Sequence, residues 1–271
     1  MGEKMQENEE RSLVSLIVKS RRILIFSGAG ISTTSGIPDY RGPKGVWKKT
    51  NPVYYNEFMN SSDARLRYWE QKSESWDVLK RAKPTMVHAA IVDLERAEKL
   101  HMVVTQNIDS LHRLAGNSEE RLVELHGSMG WVECQSCHRR FEPDPLYSNF
   151  RRTHHVPMCD CGGYLKPATI SFGQNLKEED LARAFRSAEG ADLVIALGST
   201  LSVTPASLVP LRAAERGIPY VIINRGKTDH DELPVVLLRL EGDVESIFPP
   251  AVEKALSINI TGERHARNSY S

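Results

Sequence analysis

The sequence has no excess of either charge and no long apolar run. Lys plus Arg and Asp plus Glu each number 35 among the 271 residues. Because balanced charge gives no overall attraction to nucleic acid or to an anionic membrane, we expect neither as a partner. No apolar run approaches the length that spans a bilayer, and the opening "MGEKMQENEERS" is acidic and polar where a secretory leader is basic and then apolar. These absences predict a cytoplasmic protein.

Cysteine is also scarce, and all four cysteines fall within one short segment. The pattern is Cys134-x-x-Cys137 followed, 21 residues later, by Cys159-x-Cys161. In a reducing compartment such pairing indicates a metal site rather than a disulfide framework. Two pairs of thiolates suit a tetrahedral Zn²⁺ site, and four thiolates leave no open position for catalysis. We therefore predict a structural zinc; the alternative is four unligated buried thiols.

Short apolar runs alternate with amphipathic stretches along most of the chain. We predict strands over residues 22–27, 101–105, 192–198, 220–224 and 235–240. Helical patterns between them cover residues 85–100, 179–188 and 205–216. Near-continuous apolar strands separated by helices are typical of a parallel sheet covered on both faces. The predicted fold is α/β, a doubly wound, Rossmann-like sheet with its active site at the carboxyl ends of the strands.

This alternation breaks between about residues 131 and 167. The segment contains Cys, His and Pro and has no strong strand pattern. We predict that 131–167 forms a small inserted zinc-ribbon module. The Rossmann-like domain is then discontinuous and covers residues 10–130 and 168–256, and the polar residues 257–271 form a flexible tail.

A glycine-containing loop follows the first predicted strand. Gly28 and Gly30 in "RILIFSGAGIS" are suited to bring backbone N–H groups close to a pyrophosphate. The hydride-transfer fingerprint needs a third glycine, and Thr33 stands there instead. We therefore expect a bound nucleotide without the layout of a redox enzyme. The alternative is that the glycines only make a tight turn, against which Asp39 and Arg41 add charged groups near the same strand end.

Several motifs in a fixed order resemble one known family. They are "GAGISTTSGIPDYRG", "TQNID", "ELHG", the paired cysteines, "ISFGQ", "GSTLSVTP" and "INRG". Over about residues 10 to 250 the chain resembles sirtuins of the prokaryotic type, which are NAD-dependent protein lysine deacylases. The resemblance implies NAD as co-substrate, cleavage of its nicotinamide–ribose bond and transfer of the acyl group from lysine to ADP-ribose.

The resemblance also implies roles for individual residues. His126 in "ELHG" matches the catalytic base, whose imidazole pKa lies naturally near the operating pH. Asn107 and Asp109 match catalytic residues that contact the ribose and the nicotinamide carboxamide. The cofactor-binding positions implied in this way are Gly28, Ala29, Gly30, Ser32, Asp39, Tyr40, Arg41, Gln106, Ile108, Gly198, Ser199, Thr200, Asn224, Arg225, Gly226 and Val244.

The substrate implied by the resemblance is an acyl-lysine protein or peptide that binds as an added strand. Ile170 and Phe172 match positions that line an apolar acyl-lysine tunnel, which suits a side chain whose charge acylation has removed. Gln174 stands where the family has an acid. Tyr68 is followed three residues later by Gln71, where members that prefer acidic acyl groups have Arg. We expect a preference for acetyl or another neutral acyl group.

Two other functions use part of the same pattern. Mono-ADP-ribosyl transfer or NAD hydrolysis shares the first bond cleavage, and a non-enzymatic NAD-sensing module would bind the nucleotide and leave it intact. The "ISFG" cleft together with His126 favours the deacylase, because NAD hydrolysis requires no lysine tunnel. Of the other histidines, we expect His88 to be a core or capping residue and His112 to be structural.

Overall fold

The structure is a computed structural model that describes residues 2–38 and 51–268. The described residues contain nine strands and nine α-helices. The strands are β1 (Ile23–Ser27), β2 (Leu100–Thr105), β3 (Leu122–Glu124), β4 (Gly127–Cys134), β5 (Arg140–Phe141), β6 (Leu165–Thr169), β7 (Leu193–Leu197), β8 (Tyr220–Asn224) and β9 (Leu238–Glu241). The helices are α1 (Gly2–Lys19), α2 (Tyr55–Asn60), α3 (Ser62–Arg81), α4 (Met86–Arg96), α5 (Leu111–Ala115), α6 (Pro143–Thr153), α7 (Glu178–Gly190), α8 (Leu208–Ala214) and α9 (Val244–Asn268).

Six strands form a main sheet in the order β3-β2-β1-β7-β8-β9, and every neighbouring pair is parallel. The chain builds outward from β1 to β3, crosses back to β7 beside β1, and builds outward again to β9. This is the doubly wound arrangement, and it confirms the predicted Rossmann-like sheet. The five predicted strands correspond to β1, β2, β7, β8 and β9, whereas β3 was not predicted.

Helices cover both faces of the main sheet, so its strands are apolar on both sides. All five residues of β1 are buried. Ile23 and Ile25 belong to the core under α1, α4 and α9, while Leu24 and Phe26 belong to the core under α7 and α8. Successive side chains of a strand point to opposite faces, which explains the near-continuous apolar runs of the sequence.

A second, antiparallel sheet has the order β5-β4-β6 and packs against α6. Residues 131–167, where the sequence shows no strong strand pattern, contain β5 and parts of β4 and β6. β4 is eight residues long, but its sequence "GSMGWVEC" mixes glycine and polar residues, and its register with β6 shifts between Gly127 and Val132. Such a strand lacks the regular alternation that sequence patterns detect.

The core of this small sheet includes residues from an earlier part of the chain. Phe58 of α2 and Trp69 of α3 are fully buried in the same cluster as Tyr147 of α6 and Leu165 of β6. The Trp69 indole Nε1–H donates to the Leu165 carbonyl at 3.0 Å. Helices α2 and α3, which the predicted division assigns to the Rossmann-like domain, thus pack on the small sheet.

Helix α9 continues past the predicted domain boundary at residue 256 to Asn268. Residues 257–268 of the expected tail are therefore helical. Phe248, Val252 and Ala255 of this helix are buried, whereas Ser257 and Ile258 are exposed, so the polar composition of this part of the chain does not mark the end of the helix. No helix among the described residues combines the length and apolar character needed to cross a bilayer.

Candidate active site

The loops after β1 and β7 meet backbone to backbone at the carboxyl edge of the main sheet. The Gly28 N–H donates to the Leu197 carbonyl at 2.9 Å, and the Gly30 N–H donates to the Gly198 carbonyl at 2.8 Å. A Cβ atom on Gly28 would lie 2.7 Å from the Gly198 oxygen, and one on Gly30 would lie 2.7 Å from the Gly198 Cα. Because β1 and β7 flank the topological switch point, this contact forms the floor of the crevice in which open α/β sheets bind ligands.

These contacts refine the interpretation of the glycines. Each one is required because another loop passes too close for a side chain, which differs from the tight-turn alternative. The chain then continues through two short 3₁₀ helices, Ala29–Ile31 and Thr33–Ser35. Gly28 and Gly30 thus both allow the close approach of the two loops and lie at the floor of the crevice.

A buried polar cluster beside this loop brings together three of the predicted site residues. The Ser32 hydroxyl donates to Asp109 Oδ2 at 2.7 Å, and Asn107 Nδ2 donates to the Gly28 carbonyl at 3.1 Å and to the Ser32 oxygen at 3.3 Å. Asp109 Oδ1 accepts from the Leu111 N–H at 2.9 Å. Burial raises the pKa of Asp109, while the hydrogen bonds from Leu111 and Ser32 act in the opposite direction. The cluster therefore fixes an amide and a carboxyl group at the crevice.

His126 follows β3, the outermost strand of the main sheet, which pairs with β2. Its Nδ1 lies 3.0 Å from the main-chain carbonyl oxygen of Gln106. A carbonyl oxygen only accepts hydrogen bonds, so Nδ1 carries the hydrogen of the neutral ring and the lone pair resides on Nε2. The Gln106 side chain donates to Ser199 Oγ at 2.9 Å, which joins this side of the site to the loop after β7.

Two hydroxyl groups at strand ends support the loop that carries Asn107. The Ser27 hydroxyl donates to Thr105 Oγ1 at 2.9 Å, and the same oxygen accepts from the Asn107 N–H at 3.0 Å. His112 Nε2 lies 2.9 Å from Ser27 Oγ. Sequence reasoning missed Ser27 and Thr105, although a hydroxyl residue ending each of two neighbouring apolar strands is a signal that could have found them.

His88 and His112 are both buried, and His88 lies at the start of α4, as expected of a core or capping residue. His88 Nδ1 accepts from the Thr85 N–H at 3.2 Å at the start of α4, and the Thr85 hydroxyl donates to the Ile31 carbonyl at 3.0 Å. Burial and the nearby His112 lower the pKa of His88 to about 2. Burial lowers the pKa of His112 to about 4. Both rings are therefore neutral at physiological pH.

The far side of the crevice is formed by the loops after β7 and β8. Thr200 Oγ1 lies 2.8 Å from Ser202 Oγ. Asn224 Nδ2 donates to the carbonyls of Arg225 and Gly226, both at 3.1 Å, which stabilises the turn where Gly226 has a φ of +81°. Val244 is buried at the first position of α9.

Other predicted positions lie outside this network. Ile108 is half-buried, and its carbonyl accepts from the Met129 N–H at 2.9 Å. The predicted positions Asp39, Tyr40 and Arg41 lie outside the described residues.

The predicted substrate residues lie in the loop after β6. The Ile170 N–H donates to the His126 carbonyl at 2.8 Å, so this loop is tied directly to the histidine segment. The Phe172 carbonyl accepts from the Tyr55 N–H at 2.9 Å, and its ring centroid lies 5.8 Å from that of Tyr54. Tyr54 was not predicted, and it is one of the exposed aromatic residues at this edge.

Tyr68 lies beneath the same loop. The Ser171 hydroxyl donates to the Tyr68 oxygen at 3.3 Å. Burial acts to raise the pKa of Tyr68, but the charges of Lys166 and Lys72 lower it to about 7. Lys166 is almost fully buried, and its ammonium group donates to the Pro167 carbonyl at 3.2 Å and to the Thr169 carbonyl. Two lysines, Lys166 and Lys72, thus supply positive charge beside Tyr68.

The four cysteine sulfurs lie together at one end of the small sheet, all within 4.8 Å of one another. Cys134 and Cys161 are 3.6 Å apart, and Cys137 and Cys159 are 3.7 Å apart, between Sγ atoms. Thiolates that bind zinc tetrahedrally at about 2.3 Å are roughly 3.8 Å from one another. The Ser136 N–H donates to Cys134 Sγ at 3.4 Å, as expected for a thiolate ligand. The donor set fits a structural zinc ion.

A model of the Sir2 family matches residues 28–205, a span that starts at the glycine loop and contains the "QNID" loop, His126 and all four cysteines. The chain belongs to the Sir2 family. Among Sir2 relatives, the NAD-dependent protein deacetylase of Rhodopseudomonas palustris is 40% identical over 228 residues, which cover 84% of this chain and 90% of that protein. The family suggested by the sequence motifs is thus confirmed.

Solved structures of Sir2 proteins share the whole fold. One, described as "Structural Basis for the Mechanism and Regulation of Sir2 Enzymes", has a TM-score of 0.82 and 34% identity, and covers 93% of this chain and 99% of that one. Another is a Sir2 complex with a deacetylated p53 peptide and 3'-O-acetyl ADP-ribose. Its TM-score is 0.79 at 31% identity, covering 90% of this chain and 97% of that one.

Proposed function

We propose that this Sir2-family chain is an NAD-dependent protein lysine deacylase. It would release nicotinamide from NAD and transfer the acyl group of a modified lysine to ADP-ribose. The observation that carries the proposal is the geometry of His126, whose Nδ1 is held by the Gln106 carbonyl beside the cluster of Ser32, Asn107 and Asp109. Relatives named NAD-dependent protein deacetylase support the same reaction.

His126 is the proposed general base. With its hydrogen donated to the Gln106 carbonyl, the ring has a fixed orientation and offers the Nε2 lone pair to a ribose hydroxyl. Its own carbonyl accepts from Ile170, so the base and the substrate loop keep a constant separation. A base with this support can remove a proton from the hydroxyl when the acyl oxygen has joined the anomeric carbon.

Asn107 and Asp109 are proposed to hold the ribose and the nicotinamide carboxamide. Asp109 already accepts one hydrogen bond on each oxygen, and each carboxylate oxygen has a second lone pair for the carboxamide NH₂. An N–H donor would also compensate the cost of burying this acid. Asn107 is fixed by its bonds to Gly28 and Ser32, which leaves its amide oxygen for a hydroxyl donor.

The remaining contacts to NAD are proposed along the crevice. In the sequence that follows β1 they involve Gly28, Ala29, Gly30, Ser32, Asp39, Tyr40 and Arg41, and in the loop after β2 they involve Gln106 and Ile108. On the β7 and β8 side they involve Gly198, Ser199, Thr200, Asn224, Arg225, Gly226 and Val244. Backbone N–H groups near the start of a helical turn are suited to bind the pyrophosphate.

We propose a neutral acyl-lysine of a protein or peptide as the substrate. Ile170 and Phe172 supply apolar surface for the acyl-lysine, and a related Sir2 complex contains a peptide. Tyr68 is already engaged by Ser171, and Gln71 is neutral, with its amide donating to the Asn51 carbonyl at 3.3 Å. Because Gln71 stands where an arginine would pair with Tyr68, that position offers no bidentate partner to a carboxylate-bearing acyl group.

We also propose the arrangement of the chain that serves this reaction. Residues 10–130 and 168–256 would bind NAD, and 131–167 would form the zinc module, on which α2 and α3 pack. The zinc would be structural, because its four thiolate ligands leave no open position. A cytoplasmic location is consistent with four unpaired cysteines, which suit a reducing compartment.

The test is product analysis by mass spectrometry. The protein is incubated with NAD and with peptides that carry acetyl, propionyl, succinyl or long-chain acyl-lysine. We expect nicotinamide, deacylated peptide and acylated ADP-ribose in equal amounts, with neutral acyl groups preferred over succinyl. ADP-ribose attached to protein would instead indicate a transferase, free ADP-ribose formed without peptide would indicate a hydrolase, and unchanged NAD would exclude an enzyme.

Replacing His126 tests the assigned base. Loss of a general base lowers turnover by about 10²- to 10⁴-fold, and we expect this for His126→Ala while NAD still binds. His155→Ala is the matched control, because His155 is exposed on the small sheet side. Full turnover by His126→Ala would contradict the assignment.

A further inference from the structure

A cleft of about 520 Å³ opens between the small antiparallel sheet and the loop after β6. Its walls include Glu133, Gln135, Arg140, Ile170, Gln174 and Lys177. We propose that this cleft, called here the basic cleft, binds an acidic side chain of the substrate close to the acyl-lysine. The inference rests on the proposed function, since Ile170 is shared with the proposed acyl-lysine site.

The fixed charges of the residues that line the basic cleft leave one excess positive charge, and the nearby Asp180, which lines an adjoining pocket with Arg140 and Lys177, also interacts with both cations. Among the described residues that line the basic cleft, Glu133 is the one acidic residue, and the Glu133 side chain is only 12% exposed. Arg140 Nε lies 3.1 Å and Lys177 Nζ 3.5 Å from Glu133 Oε2, so two permanent cations share one acid. His138 also lines the cleft, with its Nδ1 3.6 Å from Glu133 Oε1.

Both cations can reach a second carboxylate. The side chains of Arg140 and Lys177 are 52% and 47% exposed, whereas the acid between them is buried. Glu133 engages only Nε of the guanidinium, and no other N–H of Arg140 donates to a described residue. A guanidinium with free N–H groups binds a carboxylate in bidentate geometry. An incoming Asp or Glu side chain would complete this arrangement.

The neutral residues of the basic cleft preserve the charge excess. Gln174 occupies the position where the sequence resemblance leads one to expect an acid, and its Oε1 accepts from the Ser171 N–H at 3.1 Å. A carboxylate at that position would offset one cation and repel an acidic substrate. Gln174 and Asn175 lie in the same loop as Ile170 and Phe172, so a peptide held at the proposed acyl-lysine site would run past them.

The first experiment compares peptides that differ at one residue. Peptides with one acetyl-lysine carry Asp, Ser or Lys at each position within three residues on either side. We expect kcat/KM to be roughly two- to tenfold higher for Asp than for Ser at one or two of these positions, as partly exposed ion pairs contribute modestly. The preference should shrink as salt rises, because screening weakens exposed charge pairs. Equal use of all three peptides would overturn the proposal.

Substitutions of Lys177 test the assignment to this cleft. We expect Lys177→Gln to reduce the preference for the acidic peptide over the serine peptide and Lys177→Glu to reverse it toward the basic peptide. Lys254→Glu is the matched control, since Lys254 is exposed on α9. If Lys177→Glu and Lys254→Glu give the same peptide preference, the assignment is wrong.

Binding measurements separate this inference from the proposed reaction. Fluorescence anisotropy of labelled acidic and neutral acetyl-lysine peptides reports affinity without turnover. If no peptide is deacylated, the proposed function fails, while tighter binding of the acidic peptide that is lost in Lys177→Gln still supports the basic cleft. Equal affinity for both peptides would contradict it even in an active enzyme.

Discussion

At the scale of single residues, the candidate site is organised by hydrogen bonds among the protein's own groups. The Gln106 carbonyl decides which nitrogen of His126 is basic, and Ser27 and Thr105 carry the hydrogen bonds that position Asn107. His112 extends this series of hydrogen bonds, since its Nε2 lies 2.9 Å from Ser27 Oγ, and its buried ring is neutral. A histidine that is held neutral in the core destabilises the folded state once the pH is low enough to protonate the same histidine in the unfolded chain.

The neutral state of His112 predicts a fall in stability with acidification. Its pKa is about 4 in the folded protein against 6.5 in the unfolded chain, so the unfolded chain binds the proton first as pH falls below 6.5. The free energy of unfolding should therefore fall by about 1.4 kcal/mol per pH unit for this residue between pH 6.5 and about 4. His88, with a pKa of about 2, adds in the same direction.

Urea denaturation between pH 5 and 7 measures this dependence. His112→Gln should show a shallower slope than the parent protein, and His155→Gln, altered at an exposed position, should keep the parent slope. A slope that is the same in His112→Gln and the parent would show that His112 is not responsible.

At the scale of elements, close backbone approach sets the geometry more strictly than side-chain packing does. Gly127 follows His126 at the start of β4, with a φ of +70°. A Cβ at this position would lie 2.0 Å from the Ala168 carbonyl oxygen, so β4 and β6 would have to separate. The same strands carry His126 and the substrate loop.

Gly127→Ala should therefore lower the free energy of unfolding by more than the positive φ of this residue alone would explain. Gly217 is the matched control, because its φ is +82° and a Cβ there meets nothing within 4 Å. We expect Gly217→Ala to lose about 1–2 kcal/mol of unfolding free energy and to keep its activity. Gly127→Ala should lose more stability and most of its turnover, as measured by denaturation and nicotinamide release. Equal losses in the two variants would argue against the backbone contact.

The elements also explain what the sequence could and could not reveal. β1, β7 and β8 were predictable because burial on both faces produces unbroken apolar runs such as "ILIFS". β3 has only three residues, and β4 alternates irregularly, so neither has a periodic signal. The site motifs were found through their resemblance to a family. The contact of Trp69 with Leu165 joins residues about a hundred positions apart and leaves no local pattern at either one.

At the scale of the whole molecule, two cores divide the chain. The main sheet has its own apolar clusters on its two faces, and the small sheet has a third that holds Trp69, Tyr147 and two of the cysteines. The zinc site lies at the end of β4, where Cys134 pairs with Leu165 of β6. Loss of the metal should therefore destabilise the third cluster, while the main sheet remains folded.

Cys134→Ser tests this division. We expect the variant to lose its zinc, measured by elemental analysis, and to show red-shifted tryptophan emission as Trp69 becomes exposed. NAD should still bind, since its proposed contacts belong mainly to the main sheet. Ser136→Ala is the control, because residue 136 contacts the Cys134 sulfur through its main-chain N–H. Unchanged zinc content in Cys134→Ser would contradict the four-cysteine site.

The position of β1 in the main sheet has a consequence for synthesis of the chain. β1 pairs with β2 on one side and with β7 on the other, where Ile23 lies opposite Leu193, 170 residues later. Until residues 193–197 have left the ribosome, β1, one of the two central strands, has one open edge. A nascent chain that ends before β7 is then prone to pair with other chains, and at 5–20 residues per second this exposure lasts roughly 10 to 30 seconds. Completion of the sheet therefore depends on the late part of the sequence, even though the glycine loop, His126, the four cysteines and the substrate loop have by then been synthesised.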